Sequence, residues 1–246
     1  MKVKAIVIHL RRAVGRRPQV GRLQALLPFP VDVIDAVDGH ALSGGAIRRV
    51  VAPQLHYPRY PFDLSPTEVA CFLSHRKAWQ QIVDEGLDAG LVAEDDAAIA
   101  SPLFTDVVGV ALDRLAPEEF VRFPHRERRE QGAIVRRHGL GHVMEPSLPA
   151  LGMVMQLVGR EAARRLLQAS QIFDRPVDSY VQMHWIHGAR VLSARPIVVR
   201  EIGGQLGGSV IHAPREGLFD KVVHEVQRPL LRLAVSIEST RHRRAA

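Results

Sequence analysis

The stretch from Leu64 to Asp96 constrains the fold more than any other part of this chain. Ser65-Pro66-Thr67-Glu68 reads as a helix start: Ser65 caps, Pro66 suits the first helical position, and Glu68 closes a capping box. The spacing predicts a helix running to Glu85 and stopping at Gly86, with Glu68, Phe72, His75, Trp79 and Ile82 on one face. Ala89-Gly90-Leu91-Val92-Ala93 then reads as a buried strand that ends in Glu94-Asp95-Asp96. A helix followed by an apolar strand with carboxylates at its end belongs to an α/β sheet, where ligands bind beyond the carboxyl ends of strands. Strand alternation sends Glu94 and Asp96 to one side and Asp95 to the other. Three adjacent carboxylates repel one another. Either a divalent cation relieves them, Mg²⁺ or Mn²⁺ by the oxygen donor set, or they form a solvated acidic turn. Glu68 and His75, on an otherwise apolar stripe, either satisfy each other and nearby backbone or face a site.

The rest of the chain extends this α/β reading. Lys4–Leu10 and Val31–Val37 read as strands, separated by a basic segment with Leu23, Leu26 and Leu27 at helical spacing. Residues 40–64, with three prolines and Gly44-Gly45, read as a long irregular loop. A helix is expected over 103–115, a strand at Phe120–Phe123 and a loop or hairpin at Arg126–Arg137. Leu151–Val158 reads as a buried strand feeding a helix from Gly159. Pro176-Val177-Asp178 opens another helical segment, and 190–193 and 196–199 are strand-like. A glycine-rich stretch, Gly203 to Ser209, precedes His212.

The 246 residues are 46% hydrophobic and 24% charged, an ordinary globular balance that excludes a disordered chain. Cys71 is the single cysteine, so no intramolecular disulfide framework exists, which is compatible with a reducing cytoplasm. No run approaches a membrane-spanning length. The net charge of +7 invites nucleic acid as a partner, but only four of the 33 basic residues are lysines, and they and the arginines are spread along the chain. Aromatics at 5% leave few stacking platforms for single strands, so no nucleic-acid partner is expected.

Taken in order, these motifs resemble glycosyltransferase family 25, the lipopolysaccharide-biosynthesis glycosyltransferases that include bacterial galactosyltransferases and collagen-galactosylating domains. Ile8-His9-Leu10 with Arg12 and Arg16 stands where the family has a strand ending in Asn-Leu and spaced arginines; His9 replaces the Asn. Ala36-Val37-Asp38-Gly39 matches its Ala-x-Asp-Gly turn. The most specific block is Leu64-Ser65-x-x-Glu68-x-x-Cys71-x-x-Ser74-His75-x-x-x-Trp79, followed by Glu94-Asp95-Asp96. Leu151-Gly152-Met153, Gly159-x-x-Ala162-Ala163, Pro176-Val177-Asp178 and Ser209-Val210-Ile211 also look like family elements, although Leu151-Gly152 departs from a more usual Gly-x-x-Tyr and Ala97 from a larger apolar residue.

The resemblance implies a GT-A-like single domain over 1–212, a central mixed sheet flanked by helices, and a C-terminal helical basic tail over 213–246. It implies an inverting transferase moving galactose or glucose from a UDP-sugar to a glycan, lipooligosaccharide or related lipid-linked acceptor. Glu94 and Asp96 would hold Mn²⁺ or Mg²⁺, with His212 either a further ligand or a surface histidine. Leu10, Arg12, Arg16, Asp38 and His75 are expected on the donor side, the arginines either gripping phosphate or merely solvated. Asp178 is expected as the general base unless it caps its helix, with Asp95 the second candidate. In the tail, Leu218, Phe219, Val222, Val223, Val226, Leu230, Leu233 and Ile237 recur at helical steps among basic residues, and Pro229 is expected to kink or split the segment. It is either a core-docking helix or a peripheral anchor on an anionic inner membrane face, consistent with a cytoplasmic enzyme. Two other readings stand beside the transferase: a basic nucleic-acid-binding protein with metal-dependent phosphodiester chemistry, and an inactive transferase relative acting as a partner.

Overall fold

The computed structural model describes residues 1–127, 130–206 and 218–245, the side chains of 218–226 and 244–245 excepted. The first half runs β1 (Val3–His9), α1 (Arg17–Leu26), β2 (Val31–Asp35), α2 (Gly44–Arg48), α3 (Pro66–Asp84), β3 (Ala89–Glu94), β4 (Ala97–Ile99) and α4 (Phe104–Leu112). The second half runs β5 (Glu119–Arg122), β6 (Gly132–His138), β7 (Gly141–Pro146), β8 (Met155–Gly159), α5 (Arg160–Ala169), α6 (Val177–Val181), α7 (His184–His187), β9 (Arg190–Arg195), β10 (Val199–Glu201) and α8 (Leu218–Ala245). Eight strands form one mixed sheet in the order β2-β1-β3-β8-β5-β9-β7-β6, and β4 pairs separately with β10. This is the α/β architecture expected, a central mixed sheet flanked by helices.

Both faces of the central strands are covered, which is why they read as unbroken apolar runs. Alternation divides them between two cores. Ala5, Val7, Leu91, Ala93, Val121 and Leu157 pack with residues of α1 and α4 such as Leu23 and Val107. Ile6, Ile8, Val92, Phe120 and Val158 pack with Phe72, Trp79 and Ile82 of α3 and with residues of α5 and α6. The predicted capping box of α3 is present, Ser65 and Glu68 bonding reciprocally. β1 lies parallel to both β2 and β3, with Ile8 opposite Ile34 and Glu94, so their carboxyl ends open at one place.

Some boundaries differ from expectation for identifiable reasons. The long loop carries the short α2 because Ser43 caps it, accepting from the Ala46 N–H. Residues 151–153 leave the ladder before β8, Val154 still accepting from the Glu94 N–H, and Gly152 donates instead to Asp178. The basic 126–137 region is the start of a hairpin, β6–β7, that extends the sheet beyond β9. α8 runs on through Pro229 rather than splitting there. Its last turns dock: Ser239 donates to the Ser147 carbonyl (2.6 Å), His242 stacks on Trp185, and Arg243 pairs with Glu145. Leu230, Leu233 and Ile237 stay exposed. The expected domain boundary at 212/213, the Ser209-Val210-Ile211 triplet and His212 lie outside the described residues. No helix among the described residues is long and apolar enough to cross a membrane.

Candidate functional site

β3 ends at Glu94, and Asp95-Asp96 form the turn into β4. Strand alternation therefore holds through Asp95, which turns to the side opposite Glu94 as expected, and stops at Asp96, which joins Asp95 at Arg16 instead of following Glu94. Glu94 turns toward α3, where Oε1 accepts from His75 Nε2 (3.1 Å) and faces Cys71 Sγ (3.8 Å). Asp95 and Asp96 instead converge on Arg16. Its Nη1 donates to Asp95 Oδ1 at 2.5 Å and to Asp96 Oδ2 at 3.2 Å. Asp95 Oδ2 also accepts from His9 Nδ1 (2.8 Å), so both its oxygens are engaged and the carboxylate is buried. All three carboxylates line one cavity with Leu10, Arg12, Arg16, Cys71, Ser74 and His75.

Asp96 is the strained member. Its Oδ1 is buried and has no hydrogen-bond partner among the described residues. Burial, then the charges of Glu94 and Asp95, push its carboxyl up to about 7 against the pull of Arg16. Burial works the same way on Glu94, but the hydrogen bond from His75, joined by that from Cys71, outweighs it and holds that carboxyl below its ordinary range. Gly203 closes over this turn: a Cβ there would come within 2.8 Å of Asp96 Oδ2.

The rim of the cavity explains the Ala-x-Asp-Gly turn. Asp38 accepts from Arg12 Nε (2.7 Å) and from the His40 N–H (3.0 Å), and these donors hold its carboxyl below the usual range. Gly39 sits against α3 so closely that a Cβ would meet the Pro66 carbonyl and Thr67 Cα at 2.9 Å. Ser74 ties the same turn to the helix, accepting from the Val37 N–H and donating to the Ala70 carbonyl. Of the expected donor-side residues, Leu10, Arg12, Arg16 and His75 line the cavity, and Asp38 stands behind Arg12. Glu68 is occupied by the capping box.

Asp178 lies in the first turn of α6, accepting from the Gly152 N–H (3.1 Å) and the Ser179 N–H (2.7 Å). It lines two further cavities, and Glu94 lines both of these as well as the first. One is bounded by His125, Arg126 and Glu201, the other by Tyr60 and Met153. Gln156, His125 and Glu201 join the site by contacts across the fold that no spacing signal marks, and His9, which the motif marks only as a replacement of Asn, joins it through Asp95.

An α/β sheet with an acidic turn and arginines at the carboxyl ends of its parallel strands defines a class of site suited to an anionic ligand. The profile of glycosyltransferase family 25 (LPS biosynthesis protein) matches residues 2–136, and the chain belongs to that family. Among its relatives, the mouse (Mus musculus) protein named inactive glycosyltransferase 25 family member 3 is 25% identical over 219 residues, covering 79% of this chain and 36% of its own length. Procollagen galactosyltransferase 1 of Danio rerio is 24% identical over 226 residues, covering 80% and 36%. Human (Homo sapiens) procollagen galactosyltransferase 2 is 33% identical over 93 residues, 37% of this chain and 15% of its own. The chain thus spans about a third of the length of the curated relatives it matches most fully. A solved structure of galactosyltransferase LgtC with donor and acceptor sugar analogues aligns over 86% of this chain and 98% of its own, at 12% identity and a TM-score of 0.37, too slight a likeness to define the fold.

Proposed function

We propose that the chain is a cation-dependent, inverting glycosyltransferase of GT-A-like build that moves galactose or glucose from a UDP-sugar to a glycan, lipooligosaccharide or related acceptor. One observation carries this reading: a buried carboxylate oxygen on Asp96 without a partner among the described residues, beside Glu94, at the carboxyl ends of parallel strands. That oxygen and the upward-shifted carboxyl fit a hard divalent cation, Mn²⁺ or Mg²⁺, held by Glu94 and Asp96, with His212 a proposed further ligand. Such an ion would neutralise charge on the departing diphosphate.

The chain's own residues supply the rest. Arg12, at the rim with half its side chain exposed, donates to phosphate oxygens. Arg16 holds Asp95 and Asp96 in place, and His9 locks Asp95 from the other side, so Asp95 acts as a positioning residue. Asp178 keeps lone pairs free beyond its two backbone hydrogen bonds and takes the proton of the acceptor hydroxyl. Glu94, common to all three cavities, marks where donor and acceptor meet. The exposed Leu230, Leu233 and Ile237, with Arg232 and Arg241 on the same helix, suit contact with an anionic inner membrane face presenting a lipid-linked acceptor. The names of several relatives favour a second reading, a catalytically silent member.

A hydrolysis screen over UDP-, GDP- and CMP-sugars, with and without Mn²⁺, tests the proposal. Release of UDP only with metal is expected. Metal-independent hydrolysis, or none with any donor, refutes it, the latter in favour of the silent member.

A further inference from the structure

We propose that Cys71, His75 and Glu94 form a thiophilic cation site that takes Zn²⁺, distinct in ligand chemistry from the all-oxygen pair Glu94 and Asp96. Cys71 and His75 are four residues apart on α3, so they project from successive turns of one helix face. Glu94 meets them from the end of β3. The three ligand atoms lie within 4.8 Å of one another. Tetrahedral zinc, with bonds of about 2.0–2.3 Å, sets neighbouring ligand atoms about 3.3–3.7 Å apart. The His75–Glu94 and Cys71–Glu94 separations, 3.1 and 3.8 Å, bracket that range. A thiol, an imidazole and a carboxylate together favour zinc over Mg²⁺ or Mn²⁺, which prefer oxygen alone. All three residues line the cavity at the ends of β1 and β3, so an ion can reach them from it.

A second observation concerns Gln156, which is fully buried beneath His75. Its amide lies 3.2 Å from His75 Nδ1, and its Oε1 has no partner among the described residues. With the amide NH₂ donating to Nδ1, the histidine carries its proton on Nε2 and donates it to Glu94, the arrangement without metal. Half a turn of the amide presents Oε1 to an Nδ1–H and leaves Nε2 bare, as a metal-bound histidine requires. Gln156 therefore serves either tautomer of the ring. On binding, Cys71 releases its proton to solvent as the zinc–sulfur bond forms. The binding stands independently of the transferase reading. On that reading an ion here also withdraws Glu94 from the catalytic cation, and zinc inhibits.

The test uses the chelator-treated full chain with each metal alone. Co²⁺ should bind at one equivalent with a thiolate-to-metal charge-transfer band in the near ultraviolet, displaced by Zn²⁺ and not by Mg²⁺. Cys71→Ser should abolish the band and weaken Zn²⁺ by roughly 100-fold or more, and Gln156→Leu should weaken it by about 10- to 100-fold. Asp96→Asn should leave Zn²⁺ affinity unchanged. A cobalt spectrum without thiolate character, measured on the unaltered protein, overturns the site. So does Zn²⁺ binding that Asp96→Asn removes and Cys71→Ser does not. Absence of donor hydrolysis with Mn²⁺ alone, in a chain that still binds Zn²⁺ through Cys71, would count against the transferase reading and not against the zinc site.

Discussion

Asp96→Asn should make the metal-free protein more stable, although it removes a residue assigned to function. Asp96 is held at about 7 against an ordinary 3.8, chiefly by burial and then by Glu94 and Asp95. At about pH 8 the folded state therefore carries a penalty for ionising it. At 1.36 kcal/mol per pH unit the shift corresponds to about 4 kcal/mol as a ceiling. Asparagine escapes that penalty, in which the pull of Arg16 at 3.2 Å is already counted, so a gain of up to about 4 kcal/mol is expected. The sign with pH follows from a carboxyl raised by folding. Between about 7 and 3.8 the native state binds the extra proton, so the wild type gains stability as pH falls through that window. The advantage of asparagine should shrink steadily below about pH 7 and vanish near 4. Urea unfolding in EDTA, at about pH 8 and about pH 5, reads both effects. Adding Mn²⁺ should stabilise the wild type and not the variant. An Asp96→Asn protein less stable than wild type at the higher pH, or an advantage that does not change on acidification, refutes the reasoning.

Asp178→Asn should lower turnover by about 10²- to 10⁴-fold with donor affinity unchanged, since a base acts on the acceptor; steady-state kinetics with UDP binding by calorimetry separates the two. Gly39→Ala forces a methyl onto the backbone of Pro66 and Thr67, so a loss of about 1–3 kcal/mol is expected in thermal unfolding, and an unchanged melting temperature would count against the close approach. His187 is pushed down to about 4 by burial, its Nε2 donating to the Val181 carbonyl and its Nδ1 accepting from the Ala189 N–H. A histidine lowered by folding costs stability as pH falls from about 6.5 to 4, here by about 3 kcal/mol. His187→Gln should flatten that limb of the pH–stability curve, and a curve of unaltered slope would show that His187 does not titrate as buried. Leu233→Glu should reduce binding to anionic vesicles while leaving the melting temperature in place, a result that deletion of 238–246 could not isolate because Ser239, His242 and Arg243 dock the helix.

Local chemistry alone determined a good part of this protein. The capping box of Ser65 and Glu68, the glycine stop after α3 and the apolar runs of β1 and β3 are decided within a few residues, and the sequence reading placed all of them. It also placed the acidic triplet at a strand's end, because composition there changes abruptly from Ala93 to Glu94. What tertiary structure alone decided is who partners whom. Arg16 reaches Asp95 and Asp96 across 79 and 80 residues, His9 reaches Asp95 across 86, and Gln156 reaches His75 across 81. No spacing rule spans such separations; they follow from β1, β3 and β8 lying side by side with α3 packed on one face. The alternation argument failed at Asp96 for the same reason. Where a strand ends is set by its neighbours, here β1 and β8, and once the ladder stops at Glu94 the period of two no longer aims the side chains.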